Sequence, residues 1–180
     1  MPRESPLADP EPPWRSLRVA HTWSGEAVPA SERAEVRARV EGAWLVIEVD
    51  APFHGDPPPT APPGPTGRLW EHEVVELFLL GADERYLEVE LGPHGHHLVL
   101  RLHGRRRVEA QGLAIEFVAR RRGARWSGRA RVPAEWLPPG LARCNAYAIH
   151  GRGADRRHLA AFPVRGPEPD FHRLEDFGPW

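Results

Sequence analysis

Apolar and polar residues alternate with a period of two along most of this chain, and no stretch carries a helical period. Residues 33–41 set Val36, Ala38 and Val40 on one face and Glu35, Arg37 and Arg39 on the other. Residues 44–50 alternate Leu45, Ile47 and Val49 with Val46 and Glu48, and the turn at Glu41-Gly42 joins the two runs as a hairpin. The same pattern predicts strands over residues 73–80, 85–91, 96–103, 113–120, 125–132, 144–150 and 158–164. Pro133 opens one helical turn that Pro138-Pro139-Gly140 stops. Seven prolines and three glycines between residues 51 and 67 exclude regular structure there, so a long loop delivers the chain to Trp70. Nine or ten short strands with Gly/Pro turns predict an all-β antiparallel sandwich.

Composition narrows the function classes. A length of 180 residues suits one domain, with the Pro-rich residues 1–13 as a flexible arm and 14–180 as the sandwich. The formal charge of −1 gives no basic field for nucleic acid. All 24 cationic side chains are arginine, which reflects codon bias as much as physics. The clusters at 104–107 and 120–122 lack interleaved aromatics and read as solvated turns. No run reaches the length of a membrane span, the N-terminus lacks a signal-peptide core, and the lone Cys144 rules out an internal disulfide. A soluble, cytoplasmic protein is expected. The chain carries no P-loop, G-x-G-x-x-G, HExxH or G-x-S-x-G motif, so no cofactor is expected.

Candidate chemistry concentrates between residues 69 and 102. Glu73, Glu76, Glu88 and Glu90 sit among apolar neighbours on two consecutive strands. Pairing through the turn at 81–84 would bring Glu76 and Glu88 to one face. Two close carboxylates must raise a pKa, hold a cation or meet an arginine, with Arg101, Arg129 or Arg131 as candidates. Trp70, between the loop and a charged strand, is a candidate aromatic platform, whereas Trp44, Trp126 and Trp136 read as core. His94, His96, His97 and His103 lack the spacing of a closed metal site and read as turn and surface residues. His72, His150 and His172 are sharper candidates. Gathered around Glu76 they would offer a divalent-cation site or a proton shuttle.

Several blocks in order carry a resemblance: LWEHEVVELF, YLEVELGPHGHHLVL, WSGRARVPAEWLPP, NAYAIHG and PDFHRLEDF, with HTWSG and APFHGDPP before them. Together they resemble an uncharacterised family typified by the human chromosome-four open reading frame thirty-three product. More distantly, W-E-x-x-x-V-E-x-F at 70–78 and the closing aromatic run ending in Phe177-Gly178 are similar to family-nine carbohydrate-binding modules and DOMON-like domains. That resemblance implies a jelly-roll-like sandwich with a sugar slot between two rings, here Trp70 and Phe171, floored by Glu76. The pattern departs at Glu88, where those modules carry an arginine. Two carboxylates do not imitate a glutamate–arginine pair, which argues against copying the ligand.

The expectation that follows is a non-catalytic domain binding a small polar ligand, a saccharide by resemblance, through Trp70, His72, Glu76, Glu88, His150, Phe171 and His172. The competing classes are a hydrolase using Glu76 or Glu88 with a histidine, and a protein-interaction domain presenting the aromatic tail.

Overall fold

The computed structural model describes residues 12–180, so the arm read over residues 1–13 lies almost wholly outside the described residues. One antiparallel sheet contains β1 (Arg15–Val19), β3 (Ala34–Glu41), β4 (Trp44–Pro52), β10 (Glu116–Arg122) and β11 (Arg125–Pro133), in the order β1-β3-β4-β11-β10. The other contains β2 (His21–Thr22), β5 (Gly64–Pro65), β6 (Val74–Leu80), β7 (Arg85–Leu91), β8 (His96–His103), β12 (Arg143–His150) and β13 (Arg157–Ala160). Its order is β2-β13-β12-β6-β7-β8-β5, with β9 (Val108–Gln111) on β8 and β14 (Gly178–Pro179) on β12. We call them the five-stranded and nine-stranded sheets. The fold is an all-β sandwich, as the alternation predicts.

Where the pattern and the structure differ, the strands concerned are short. β1, β2 and β9 lie at sheet edges, where two to five residues give too little alternation to read. The proline and glycine density at 51–67 predicts no strand there. Gly64 and Pro65 nevertheless pair in parallel with His96 and His97. Such pairing tolerates proline because it sits at a sheet edge. The hairpin at Glu41-Gly42 forms as read, with Gly42 at φ +56, a left-handed conformation that costs glycine little.

Alternation sets the packing. Leu17, Val36, Ile47, Val49 and Ala130 from one sheet meet Val75, Leu77, Leu87, Val89 and Ala146 from the other. Trp126 is the largest fully buried side chain of this layer. Burial of each large apolar side chain contributes roughly 1.5–3 kcal/mol. A second apolar layer covers the other face of the nine-stranded sheet. Val74, Phe78, Tyr86, Leu98, Leu100, Tyr147 and Ile149 pack there against Leu69, Val164, Phe171 and Phe177 from loops and tail. β6 is therefore buried on both faces, which is why EVVELFLL shows so little polar alternation.

Candidate functional site

The outer face of the nine-stranded sheet is where acids and aromatics converge. On β6, Val74, Glu76 and Phe78 share this face. β7 returns in a register that sets Glu90 directly opposite Glu76 and Glu88 opposite Phe78. On the other side of β6, Tyr147 lies opposite Glu76. Glu76, Glu88 and Glu90 are only 2%, 3% and 0% exposed. A cavity of about 400 Å³ opens above them. Its floor is Glu76, Phe78, Glu88, Leu100 and Leu102, its walls include Ile149 and His158, and Trp70, Phe171 and His172 stand around it. That volume falls within the range of small-molecule sites.

Each rim residue is held by identifiable contacts. Trp70 lies in a short 3-10 turn, Leu69–Glu71, and remains 42% exposed while Leu69 beneath it is fully buried. Arg156 fixes that turn from the connection between β12 and β13, donating to the Trp70 carbonyl at 2.5 Å and to the Gly151 carbonyl at 2.9 Å. The chain can turn back to deliver Arg156 because Gly151 is at φ +77, and a Cβ there would lie 2.3 Å from the Asp155 carbonyl oxygen. Phe171 stacks on Tyr147 at 3.8 Å between ring centroids. The Tyr147 hydroxyl accepts from Asn145 Nδ2 at 2.8 Å and donates to the Phe171 carbonyl at 3.3 Å. The tail segment is clamped by buried Asp170, which pairs with Arg105 and Arg106.

His172 reaches the cavity and is held there by Tyr86. The Tyr86 hydroxyl accepts from the Arg106 amide at 3.1 Å and shares a hydrogen bond of 2.8 Å with His172 Nδ1. Burial, reinforced by Arg106 and Arg105, lowers the His172 pKa to about 4, so the ring is neutral near pH 7. Burial likewise pushes the Tyr86 hydroxyl up to about 12.

The carboxyls are strongly perturbed. Burial raises Glu76 well above its ordinary value, Glu88 adds to the rise, and Arg156 opposes it. Burial raises Glu88 to about 7. Glu90 is raised well above its ordinary value by burial and by the charges of Glu76 and Glu88. Glu88 Oε2 meets no hydrogen-bond donor among the described residues when the carboxyls are ionised, and Glu90 has only the approach of the Trp70 backbone amide. A proton on Glu90 changes this, since the protonated acid donates to Glu88. The cluster is therefore built to retain protons.

The remaining candidates drawn from the sequence lie elsewhere, and their positions have physical reasons. Arg101 shares the face of Leu87, which points into the inter-sheet core, so it does not meet the carboxyls. Arg129 pairs with Glu48 and Arg131 with Glu116 on the five-stranded sheet. His72 approaches the Pro57 carbonyl at 3.4 Å, away from the cavity. His150 alternates to the opposite face from Ile149 and stacks on His54 at 3.5 Å, with Glu32 at 3.6 Å. The three histidines are not gathered around Glu76. No group of three His, Cys, Asp or Glu among the described residues has metal-site geometry. Glu73 accepts from the His54 and Asp56 amides at 2.9 and 3.2 Å, anchoring the Pro-rich loop instead of facing a ligand. Sequence reasoning misses Tyr147, Arg156 and Glu90 as members of the site. Only Glu90 carries a signal, its shared parity with Glu88 on β7.

A larger depression, about 700 Å³, lies on the outer face of the five-stranded sheet and is lined by Glu35, Glu48, Asp50, Glu116 and arginines. Most of its charges are paired with one another and solvated, which makes it a weaker candidate site.

No family model matches the chain. It is 43% identical over 173 residues to the UPF0462 protein C4orf33 homolog of Mus musculus, spanning 91% of this chain and 90% of the mouse protein. It is 42% identical over 170 residues to the Homo sapiens UPF0462 protein C4orf33, spanning 89% and 85%. Among solved structures, a "putative carbohydrate-binding protein" from Bacteroides uniformis superposes with a TM-score of 0.67 at 16% identity, covering 93% of this chain and 84% of that one. A carbohydrate binding module family 9 from Caldicellulosiruptor kristjanssonii in complex with cellotriose gives a TM-score of 0.47 at 11% identity, covering 83% and 72%. The Bacteroides structure establishes a shared fold.

Proposed function

The chain belongs to the UPF0462 family typified by human C4orf33, and from that premise we propose that it is a non-catalytic β-sandwich binding a small polar ligand of saccharide size. The carrying observation is the convergence of Trp70 and Phe171, distant in sequence, at one cavity of about 400 Å³ floored by Glu76 and Glu88. Exposed aromatic rings stack on the apolar faces of sugar rings, while buried carboxyls take the hydroxyls. His172 joins this proposed site; His72 and His150 do not. A cytoplasmic location belongs to the same proposal, since the buried free thiol of Cys144 suits a reducing compartment.

A panel of mono- and disaccharides screened by thermal shift and calorimetry tests the reading. A ligand raises the melting temperature by mass action. Trp70→Ala leaves the fold intact, because the residue is 42% exposed and lies outside both apolar layers, and weakens binding about tenfold, the equivalent of one aromatic contact. A panel that produces no stabilisation sinks the saccharide reading.

A second reading, hydrolysis, is favoured by Glu88. A carboxyl held at about 7 beside a cavity has the pKa a general acid needs. Glu88→Gln should then abolish turnover of a glycoside while binding persists.

A further inference from the structure

Beneath the aromatic rim, the cavity floor is made of buried carboxyls that a neutral sugar would leave dependent on their own retained protons. Glu88 lines the cavity, is 3% exposed, and has an oxygen with no donor among the described residues. Glu90 lies behind it, fully buried, with only the Trp70 backbone amide and Glu88 itself as neighbours able to share a hydrogen bond. The charged neighbours are few: Arg106 lines the cavity, and with Arg105 and Arg173 it gathers on Asp170, on the His172 side and not over the carboxyls. Tyr86 and Tyr147 have raised pKa values, and His158 and His172 lowered ones, so all four stay neutral near pH 7. Arg106 is held by Asp170. Arg156 acts on Glu76 alone of the three, and its guanidinium donates to backbone carbonyls.

Two chemistries could balance such a floor. A metal ion needs three or more converging ligands, and the described residues hold no such group. An organic cation needs only one or two carboxylates and aromatic walls, since ring faces and carboxylates both attract ammonium groups. Trp70 and Phe171 supply those walls around Glu76 and Glu88. Resting on the binding reading above, we propose that the cavity selects a cationic ligand, a hydroxylated body of sugar size bearing a protonated amine. The ammonium sits over Glu76 and Glu88 and the apolar face of the body lies against the rings. Binding displaces the cluster's proton to solvent, since the incoming cation takes over its neutralising role.

Calorimetry on the full chain at pH 7 with glucosamine, N-acetylglucosamine and glucose isolates the charge on a common frame. Glucosamine should bind about tenfold tighter than either neutral sugar, as one charge-assisted contact provides. Repeating the titration in buffers of different ionisation enthalpy should reveal released protons. Glu88→Gln keeps the side-chain shape, and its melting temperature reports that it is folded. In that variant the preference for glucosamine should collapse towards parity. Equal affinity for all three sugars would overturn the cationic inference and leave the binding reading standing. No binding by any of them would overturn both.

Discussion

The two sheets present acids on their outer faces in opposite ways. On the five-stranded sheet every strand-borne carboxylate has a partner beside it. Glu48 stands between Arg37 and Arg129 on the neighbouring strands, Asp50 meets Arg125, Glu116 meets Arg131, and Glu35 accepts from Ser16. On the nine-stranded sheet Glu76 faces Glu90 across β6 and β7, and Glu88 faces a phenylalanine. The first arrangement leaves its charges in water, where pairing is cheap and weak. The second withdraws three carboxyls beneath loops and tail, where each unpaired charge is costly. Stability alone would not select the second arrangement. The cost of holding such groups is what supports the binding role proposed for this face.

The largest test of this contrast is the pH dependence of stability. A carboxyl with a raised folded-state pKa binds its proton more tightly folded than unfolded. Its stabilising contribution is complete below the unfolded pKa and is lost as pH rises through the folded one. For Glu88 that window runs from the ordinary 4.5 to about 7. At 1.4 kcal/mol per unit, the loss amounts to about 3 kcal/mol. His150 and His172, lowered to about 4, tilt the curve the other way over part of the same range, so the difference between two proteins is the readout. Glu88→Gln should match wild type near pH 4.5 and exceed it by about 3 kcal/mol at pH 8 in urea unfolding. A difference that stays flat with pH breaks the comparison.

How much of this is legible in the chain follows from the same contrast. Alternation alone identifies Arg85–Leu91 and His96–His103 as strands and puts Glu76 and Glu88 on one face. It does not give the register, because Glu84 takes a left-handed φ of +62 in the β6–β7 turn. That turn pairs Leu80 with Tyr86 instead of Arg85 and makes Glu90 the direct neighbour of Glu76. Phe171 comes from motif resemblance, since the tail has no period. Arg156 leaves no signal at all: it acts through the carbonyl of a residue 86 positions away, and carbonyls leave no trace in side-chain pattern. His72 and His150 fail for a different reason. They sit in the right blocks, but parity and loop path direct their rings away from the cavity.

A second test separates burial from satisfaction. Asn145 lies on the same strand face as Tyr147 and is fully buried, yet it is satisfied. It donates to the Tyr147 hydroxyl and the Phe162 carbonyl, both at 2.8 Å, and accepts from the Ala146 and Phe162 amides at 2.9 and 3.0 Å. Asn145→Ala strands those partners and should destabilise by about 2 kcal/mol. Opposite signs for Asn145→Ala and Glu88→Gln, measured by urea unfolding at pH 8, would show that partnering and not depth sets the energetics. Two destabilisations would mean that Glu88 is structurally satisfied, and the distinction between the sheets would dissolve.

The smallest effect belongs to the five-stranded sheet and is informative because it should be small. Glu48 holds two arginines, one at 2.5 Å from Arg37, but all three side chains retain substantial exposure. Water competes for each group, and ordering the long arginine side chains offsets part of the Coulomb gain. Glu48→Gln should therefore cost no more than about 1 kcal/mol, with a coupling to Arg129→Ala of about 0.5 kcal/mol that shrinks in high salt. The arginine stems bring an apolar contribution that Glu48→Gln does not touch: Arg39 and Arg131 flank Val46, which is only 1% exposed although it faces outward. Truncating Arg131 to Ala should thus cost more than neutralising Glu48. If removing the charge proves dearer than removing the stem, the ion-pair mesh carries structural weight, and acids on the two sheets differ in degree and not in kind.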